Sequence, residues 1–405
     1  MNWLHKFSFS VLLISFLVLI SACDNNGSTN ETKSTSEYKN TSTVKKQYLQ
    51  TPLHSRQTNT IQGKVPETII IYTSSISNEI GEFVYSNIED ITLRNTQTIG
   101  IENKDSKQKA DLYFYEKTIS NQSRLLKVTF DNDIFNNTDY YYTNGVKIEL
   151  INPFASNSPL SKLLIGIKTS DIDLYGFSLV QNIYTPTNPD VEEIRMGDRP
   201  FSAYLTIGQI RESYSINRKF SIKSSLNFGV LGPASMGGVV QSSIHDIEPV
   251  GWNNQINNSV VIDYAVDLEK SLISNTNFEF NVVTGGHLGT IFNNIYGGIY
   301  FRIGRFSPIY RGSSVSNNNL QYWFFMQGKT NFVLYDATLQ GSLFGKNDTY
   351  TLSSTEINRV VLNASIGFAM YYNSLGLELH SFYLSPEFTN AYDFRWGRIN
   401  LIFKL

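Results

Sequence analysis

Three segments of this chain concentrate groups that could bind a cation or move a proton. The first is Asp131-Asn132-Asp133, followed by Asp139 to Gly145 with Thr143 inside it. The second runs from Gln181 to Pro186 and on through Gly197-Asp198-Arg199 to Ala203. The third begins at Gly232-Pro233 and continues through Gln241 and His245 to Trp252 and Asn258. Carboxylate and amide oxygens in the first segment suit a hard cation such as Ca²⁺, although Asn and Asp are also ordinary turn formers. A neutral imidazole titrates near physiological pH and can accept a proton. The chain has five histidines; His5 and His54 precede the region of regular strands, which leaves His245, His287 and His380. Only His245 falls in a long connection between expected strands. Gln241 stands four residues before it, so a helix over 237–246 places both side chains on one face. Taken alone, Gln241 reads equally well as a solvated or capping amide.

The elements that must position these groups are strands. From residue 125 onward the apolar residues recur with period two. Val260, Ile262, Tyr264, Val266 and Leu268 alternate with Asp263, Asp267 and Glu269. Val360 to Met370 and Ile399 to Leu405 repeat the pattern. Long strands with one apolar face and one polar or small face fit a lipid-facing barrel wall. Twelve are expected, over about 125–134, 140–151, 174–185, 200–213, 219–231, 258–272, 277–289, 295–306, 320–338, 355–372, 374–386 and 392–405. The fold class is therefore all-β, a twelve-stranded antiparallel transmembrane barrel. An even count puts both ends of the barrel on one side, and a tether from Cys23 makes that side periplasmic. The three polar segments then fall on consecutive outward connections, neighbours on one rim. By strand parity Thr143 shares a face with Gly145, Lys147 and Glu149, the face turned from lipid.

Composition agrees. Hydrophobic residues make up 41% and aromatics 13% of the chain, and no stretch beyond the N-terminus could form a spanning helix. A net charge of -2 gives no footprint for nucleic acid. The N-terminus carries Lys6, an apolar run from Val11 to Ile20, and Ile20-Ser21-Ala22-Cys23, a lipobox. Residues 1–22 are expected to be a lipoprotein signal peptide and Cys23 the lipidated residue. Residues 23–65, rich in Ser, Thr, Asn and Lys, read as a disordered tether. Residues 66–120 read as a small appendage of unassigned role. Strands are expected there at 68–72 and 111–115, with a short helix over 78–90.

The ordered run N-D, D-x-Y-Y-T-N-G, I-Y-T-P, G-D-R-x-F-S-A, G-P, Q-x-x-x-H and W-x-x-Q-I-x-N resembles the lipid A 3'-O-deacylase family over residues 125–405. That resemblance implies an outer-membrane barrel that removes the 3'-linked acyloxyacyl chain from lipid A with the help of Ca²⁺. Its partners are lipopolysaccharide and the outer membrane, and a monomer is expected. His245 matches the family's catalytic histidine, Asp133 its aspartate, Asn132 the neighbour of that aspartate, and Thr143 an active-site hydroxyl. Asp133 and Asn132 are the expected metal ligands, and Gln241 the residue that orients base or water. A lysine that the family carries after the third strand has no counterpart here, where the chain reads Asn188 to Glu193. Arg195 and Arg199 are the expected substitutes in substrate binding, and Asp246 or Glu248 the acidic residue after the histidine. A related outer-membrane phospholipase or acyltransferase, or a barrel without enzymatic activity, are the competing readings. No G-x-S-x-G elbow supports a serine nucleophile.

Overall fold

The structure, a computed structural model, describes residues 69–74, 80–85, 99–101, 123–133, 140–244, 250–275, 277–308, 320–344 and 348–405. The chain divides into Met1–Thr68 and Ile69–Leu405. The first unit lies wholly outside the described residues, and with it Cys23, the signal segment and the tether.

The second unit opens with a three-stranded antiparallel sheet. β1 (Ile69–Ser74) pairs with β2 (Ile80–Tyr85) on one side and β3 (Ile99–Ile101) on the other. The helix expected over 78–90 is thus a strand across Ile80–Tyr85. Gly81 weakens a helix there, whereas Ile80, Phe83, Val84 and Tyr85 favour an extended chain once β1 supplies the hydrogen bonds. The strand expected at 111–115 lies outside the described residues.

Twelve further strands close on themselves. They are β4 (Leu125–Asn132), β5 (Tyr141–Ile151), β6 (Ile172–Thr185), β7 (Ser202–Ser215), β8 (Phe220–Leu231), β9 (Ser259–Ser274), β10 (Phe278–Gly289), β11 (Phe292–Arg305), β12 (Gln321–Asp336), β13 (Val360–Tyr372), β14 (Leu375–Leu384) and β15 (Phe394–Lys404). Each pairs antiparallel with its neighbour, and β15 pairs with β4. Closure leaves no open edge, which is what lets strands cross a bilayer. No described helix is long and apolar enough to do so.

Ion pairs between strands that are not neighbours identify the lumen. Lys127 of β4 lies 3.0 Å from Glu212 of β7, and Lys223 of β8 lies 2.8 Å from Glu149 of β5. The alternate face carries Val260, Ile262, Ile295, Ile299, Phe324 and Ile366, all exposed. This is the lipid-facing wall the alternation predicts.

Both ends of the lumen are packed. At the periplasmic end, Leu125, Ile151, Ile172, Trp323, Tyr371 and Ile402 belong to one buried cluster. At the outer end a single helical turn, Ala337–Gln340, folds inward. Asp336 caps it by accepting the Thr338 amide at 2.8 Å, and Gly341 ends it at φ 77°. Ala337 packs there with Tyr204, Leu231, Ile256 and Ile291. A charged cavity of about 330 Å³ remains between the two, lined among others by Lys127, Glu212, Lys223, Asp267 and Lys329.

Candidate active site

β4 ends at the rim with Asn132, and Asp133 follows it. Asn132 donates from Nδ2 to the Thr143 carbonyl at 3.0 Å, and Asp133, 3% exposed, accepts the Tyr140 amide at 3.2 Å. Residues 134–139 lie outside the described residues. The next strand enters through Tyr141, held at φ 66°.

A bulge then corrects the expected face of Thr143. Tyr142 pairs with Tyr184, but Asn144 pairs with Ile183, so one residue of β5 is extra at Thr143. Below the bulge Gly145 and Lys147 keep the lumen face that parity predicts. Tyr142 also turns inward, its hydroxyl donating to Asp131 at 2.8 Å. Thr143, by contrast, sets its hydroxyl 2.7 Å from that of Thr185. Thr185 shares its face with Ile183 and Gln181, the outer wall of β6. Inserting one residue reverses the side-chain alternation, which simple counting does not register. Asn132, next to the lumen residue Asp131, faces outward by the same alternation.

The third polar segment comes to this outer wall. Gly232, at φ 97°, would place a Cβ 2.6 Å from the Asn257 backbone, so only glycine fits that crossing. A helix α1 (Gly237–Ile244) follows. A Cβ on Gly237 would lie 2.2 Å from that of Ala203, so its absence lets the helix sit directly on β7. Ile183, Phe201, Ala203 and Trp252 form the buried seam beneath, with Val240 against it. Gln181 donates to the Ser235 carbonyl at 2.6 Å and ties β6 to the turn before the helix.

Gln241 is buried, and its carbonyl oxygen accepts the Trp252 indole N–H at 2.7 Å. The structure therefore shows it holding α1 to the wall. Trp252 is the residue whose part sequence reasoning missed, although it opens the W-x-x-Q-I motif. His245 follows α1 directly and lies outside the described residues, as do Asp246 and Glu248. The remaining barrel histidines face the lumen: His287 Nδ1 lies 2.9 Å from Asp263, and His380 Nε2 lies 3.4 Å from Glu378.

The two arginines part company. Arg199 is 2% exposed. It donates to Glu387 at 2.6 Å and to Thr338 at 2.7 Å, and its guanidinium sits 4.2 Å from the Tyr184 ring centre. These partners are on the lumen side, so Arg199 is a strut of the outer plug and is not presented to a substrate. Arg195 has a side chain 51% exposed beside Asp198 and donates to Thr187 at 2.5 Å. Tyr350 pins the same loop: its hydroxyl donates to the Asp198 carbonyl at 2.9 Å and accepts the Gly197 amide at 2.7 Å. Burial raises this hydroxyl above the ordinary tyrosine range, which keeps it a donor.

Among the described residues no three acidic, histidine or cysteine side chains converge as a metal site. Oxygen donors are nevertheless at hand at the rim. The Asn132 nitrogen is directed to the Thr143 carbonyl, and Asp133 follows one residue on, so an amide and a carboxylate come from adjacent positions of the chain. Such a pair fits a hard, oxygen-preferring cation and not a soft one.

A closed twelve-stranded barrel with packed ends, an apolar outer wall and a polar site on the outside of its rim defines an outer-membrane barrel protein. The chain belongs to the outer membrane protein LpxR family, whose model matches residues 107–405. Among solved structures it is similar to LpxR from Salmonella typhimurium, with 21% identity and a TM-score of 0.57 over 69% of this chain and 100% of that one. The β domain of the Bordetella autotransporter BrkA shows 9% identity and a TM-score of 0.37, over 69% of this chain and 98% of that one. A search of curated proteins returns no match.

Proposed function

We propose that this protein hydrolyses the ester linking the acyloxyacyl chain to the 3' position of lipid A in the outer leaflet. The observation that carries the proposal is the placement of Asn132, Thr143 and α1 on the outer wall at the rim. A lipid of the outer leaflet reaches that wall by lateral diffusion, without leaving the membrane. Family membership supplies the reaction class.

In this reading His245 takes a proton from water as the water oxygen bonds to the ester carbonyl carbon. The tetrahedral intermediate collapses with cleavage of the bond to the sugar oxygen. The imidazolium returns its proton to that oxygen, so the products are a 3'-hydroxyl and a fatty acid. Asn132 and Asp133 would hold Ca²⁺, which supplies positive charge near the developing oxyanion. Trp252 and Gln241 fix the helix that precedes His245. Arg195, exposed on the neighbouring loop, would meet a lipid A phosphate. A porin reading runs against the clusters packed into both ends of the lumen.

The test is mass spectrometry of lipid A from a lipopolysaccharide-bearing host that expresses the chain, beside a His245→Ala copy assembled to the same level. Loss of one acyloxyacyl mass with the native chain alone is the expected result. Unchanged lipid A, with phospholipids losing acyl chains instead, would transfer the reaction to a phospholipase.

A further inference from the structure

The periplasmic connection between β5 and β6 does not hang below the barrel. It climbs the outside of the wall. Two 3-10 turns, Pro153–Asn157 and Pro159–Leu163, are capped by Asn152 and Ser158 and lead into Leu164 to Lys168. The wall beneath them is unusual, because its outward positions are polar: Asp173 on β6, Gln209, Arg211 and Ser213 on β7, and Ser224 on β8. Strand parity puts all of them outside, since Glu212 and Lys223 point into the lumen. Each is engaged. Gln209, 1% exposed, donates to the Ala155 carbonyl at 2.6 Å, and Arg211 to the Leu164 carbonyl at 3.3 Å. Ser224 donates to the Ile165 carbonyl at 2.7 Å. Tyr264 of β9 donates to the Leu163 carbonyl and accepts the Ile165 amide, both at 2.8 Å. A Cβ at Gly166 would come within 2.3 Å of the Arg211 guanidinium, so the strap passes as close as glycine allows.

Non-strand backbone on a lipid-facing wall is tolerated only when its polar groups are satisfied by protein. Here the wall's polar side chains satisfy the strap's carbonyls, and the strap shields those side chains from lipid. Its outer surface is a mixture of another kind. Phe154, Leu163 and Ile165 are 67%, 58% and 52% exposed, and Lys162 and Lys168 are exposed among them. No acidic residue occurs from Asn152 to Ser170. Apolar side chains interspersed with lysines, on an element that lies along the wall, suit the boundary between acyl chains and anionic headgroups.

We infer that the strap 152–168 is a binding surface for anionic phospholipid of the periplasmic leaflet, with Phe154, Leu163 and Ile165 among the acyl chains and Lys162 and Lys168 at the phosphates. The surface is independent of the site on the outer rim and of its proposed chemistry.

The test uses the full chain in bilayers of phosphatidylethanolamine with or without phosphatidylglycerol. A Phe154→Trp variant should be quenched by lipids brominated on the acyl chain. Native mass spectrometry should show retained phosphatidylglycerol, weakened about fivefold for each lysine replaced in Lys162→Ser and Lys168→Ser. Heat-modifiable migration confirms that each variant is a folded barrel. Absence of quenching in the folded variant, equal retention of both lipids, or retention untouched by the lysine replacements would each overturn the inference.

Discussion

Trp252 donates its indole N–H to the Gln241 carbonyl at 2.7 Å, and this bond joins the helix before His245 to the seam that Trp252 shares with Ile183 and Ala203 of the outer wall. Both partners are buried, Gln241 at 3% and Trp252 at 7% exposure. Neither reaches the lumen, so the contact serves the rim alone.

Replacing Gln241 separates this role from direct chemistry. Gln241→Leu keeps the bulk but strands a buried donor, which costs about 1–3 kcal/mol at the helix. Lipid A turnover should fall by roughly five- to a hundredfold on that estimate, with barrel migration unchanged. Gln241→Glu keeps an acceptor and should keep most of the turnover. Equal losses in the two variants would show that the amide itself acts on the reacting groups.

The arginines should respond in opposite ways. Arg199→Ala leaves Glu387 and Thr338 without their cation at the outer plug, and truncating one partner of a buried pair costs about 3–5 kcal/mol. Thermal unfolding should fall clearly, and Glu387→Ala added to it should recover part of the loss. Arg195→Ala should leave unfolding unchanged, because its side chain is half exposed, and should raise KM for lipid A. A stability loss from Arg195→Ala alone would contradict this division.

All twelve barrel strands were legible because lipid on one side and a polar lumen on the other impose strict alternation. Thr143 shows where such reading stops: its residue type marks the rim, but the bulge that turns it outward exists only in the pairing with β6. Arg199 was visible as a charge, whereas its burial depends on Glu387, far along the chain. The strap between β5 and β6 looks like a polar loop until Gln209, Arg211 and Ser224 are placed on the outer wall. The strand at Ile80–Tyr85 resembled a helix because its pairing with β1 could not be read locally.

The hydroxyl pair at the bulge offers a matched comparison. Thr143→Val and Thr185→Val each remove the same 2.7 Å hydrogen bond and should cost about 1 kcal/mol of stability alike. If Thr143 faces the substrate, Thr143→Val should lower kcat well below Thr185→Val, and Thr143→Ser should restore it. Indistinguishable kinetics would make the pair purely structural.

Calcium should be needed for turnover and not for the barrel. Chelation is expected to stop lipid A conversion while leaving heat-modifiable migration unchanged, and added Ca²⁺ to restore it. Asp133→Asn removes one carboxylate from the rim and should raise the Ca²⁺ concentration for half-maximal activity on the order of tenfold or more. Full activity in a chelator would remove the cation from the reaction.

The lumen should not conduct. Trp323 stacks on Tyr371 at 5.1 Å in the periplasmic cluster, and Arg302 lies 5.0 Å from the Trp323 ring centre while donating to Glu279 at 2.7 Å. At the other end the inward turn Ala337–Gln340 packs against Tyr204 and Leu231. A path for ions would have to break both, and deleting a buried Trp alone costs about 3–5 kcal/mol. In planar bilayers the native barrel is therefore expected to show no stable conductance steps, and Trp323→Ala only brief ones, since the outer plug remains. Steady conductance by the native chain would mean that the clusters open in the membrane, and would restore the pore as a working part of the molecule.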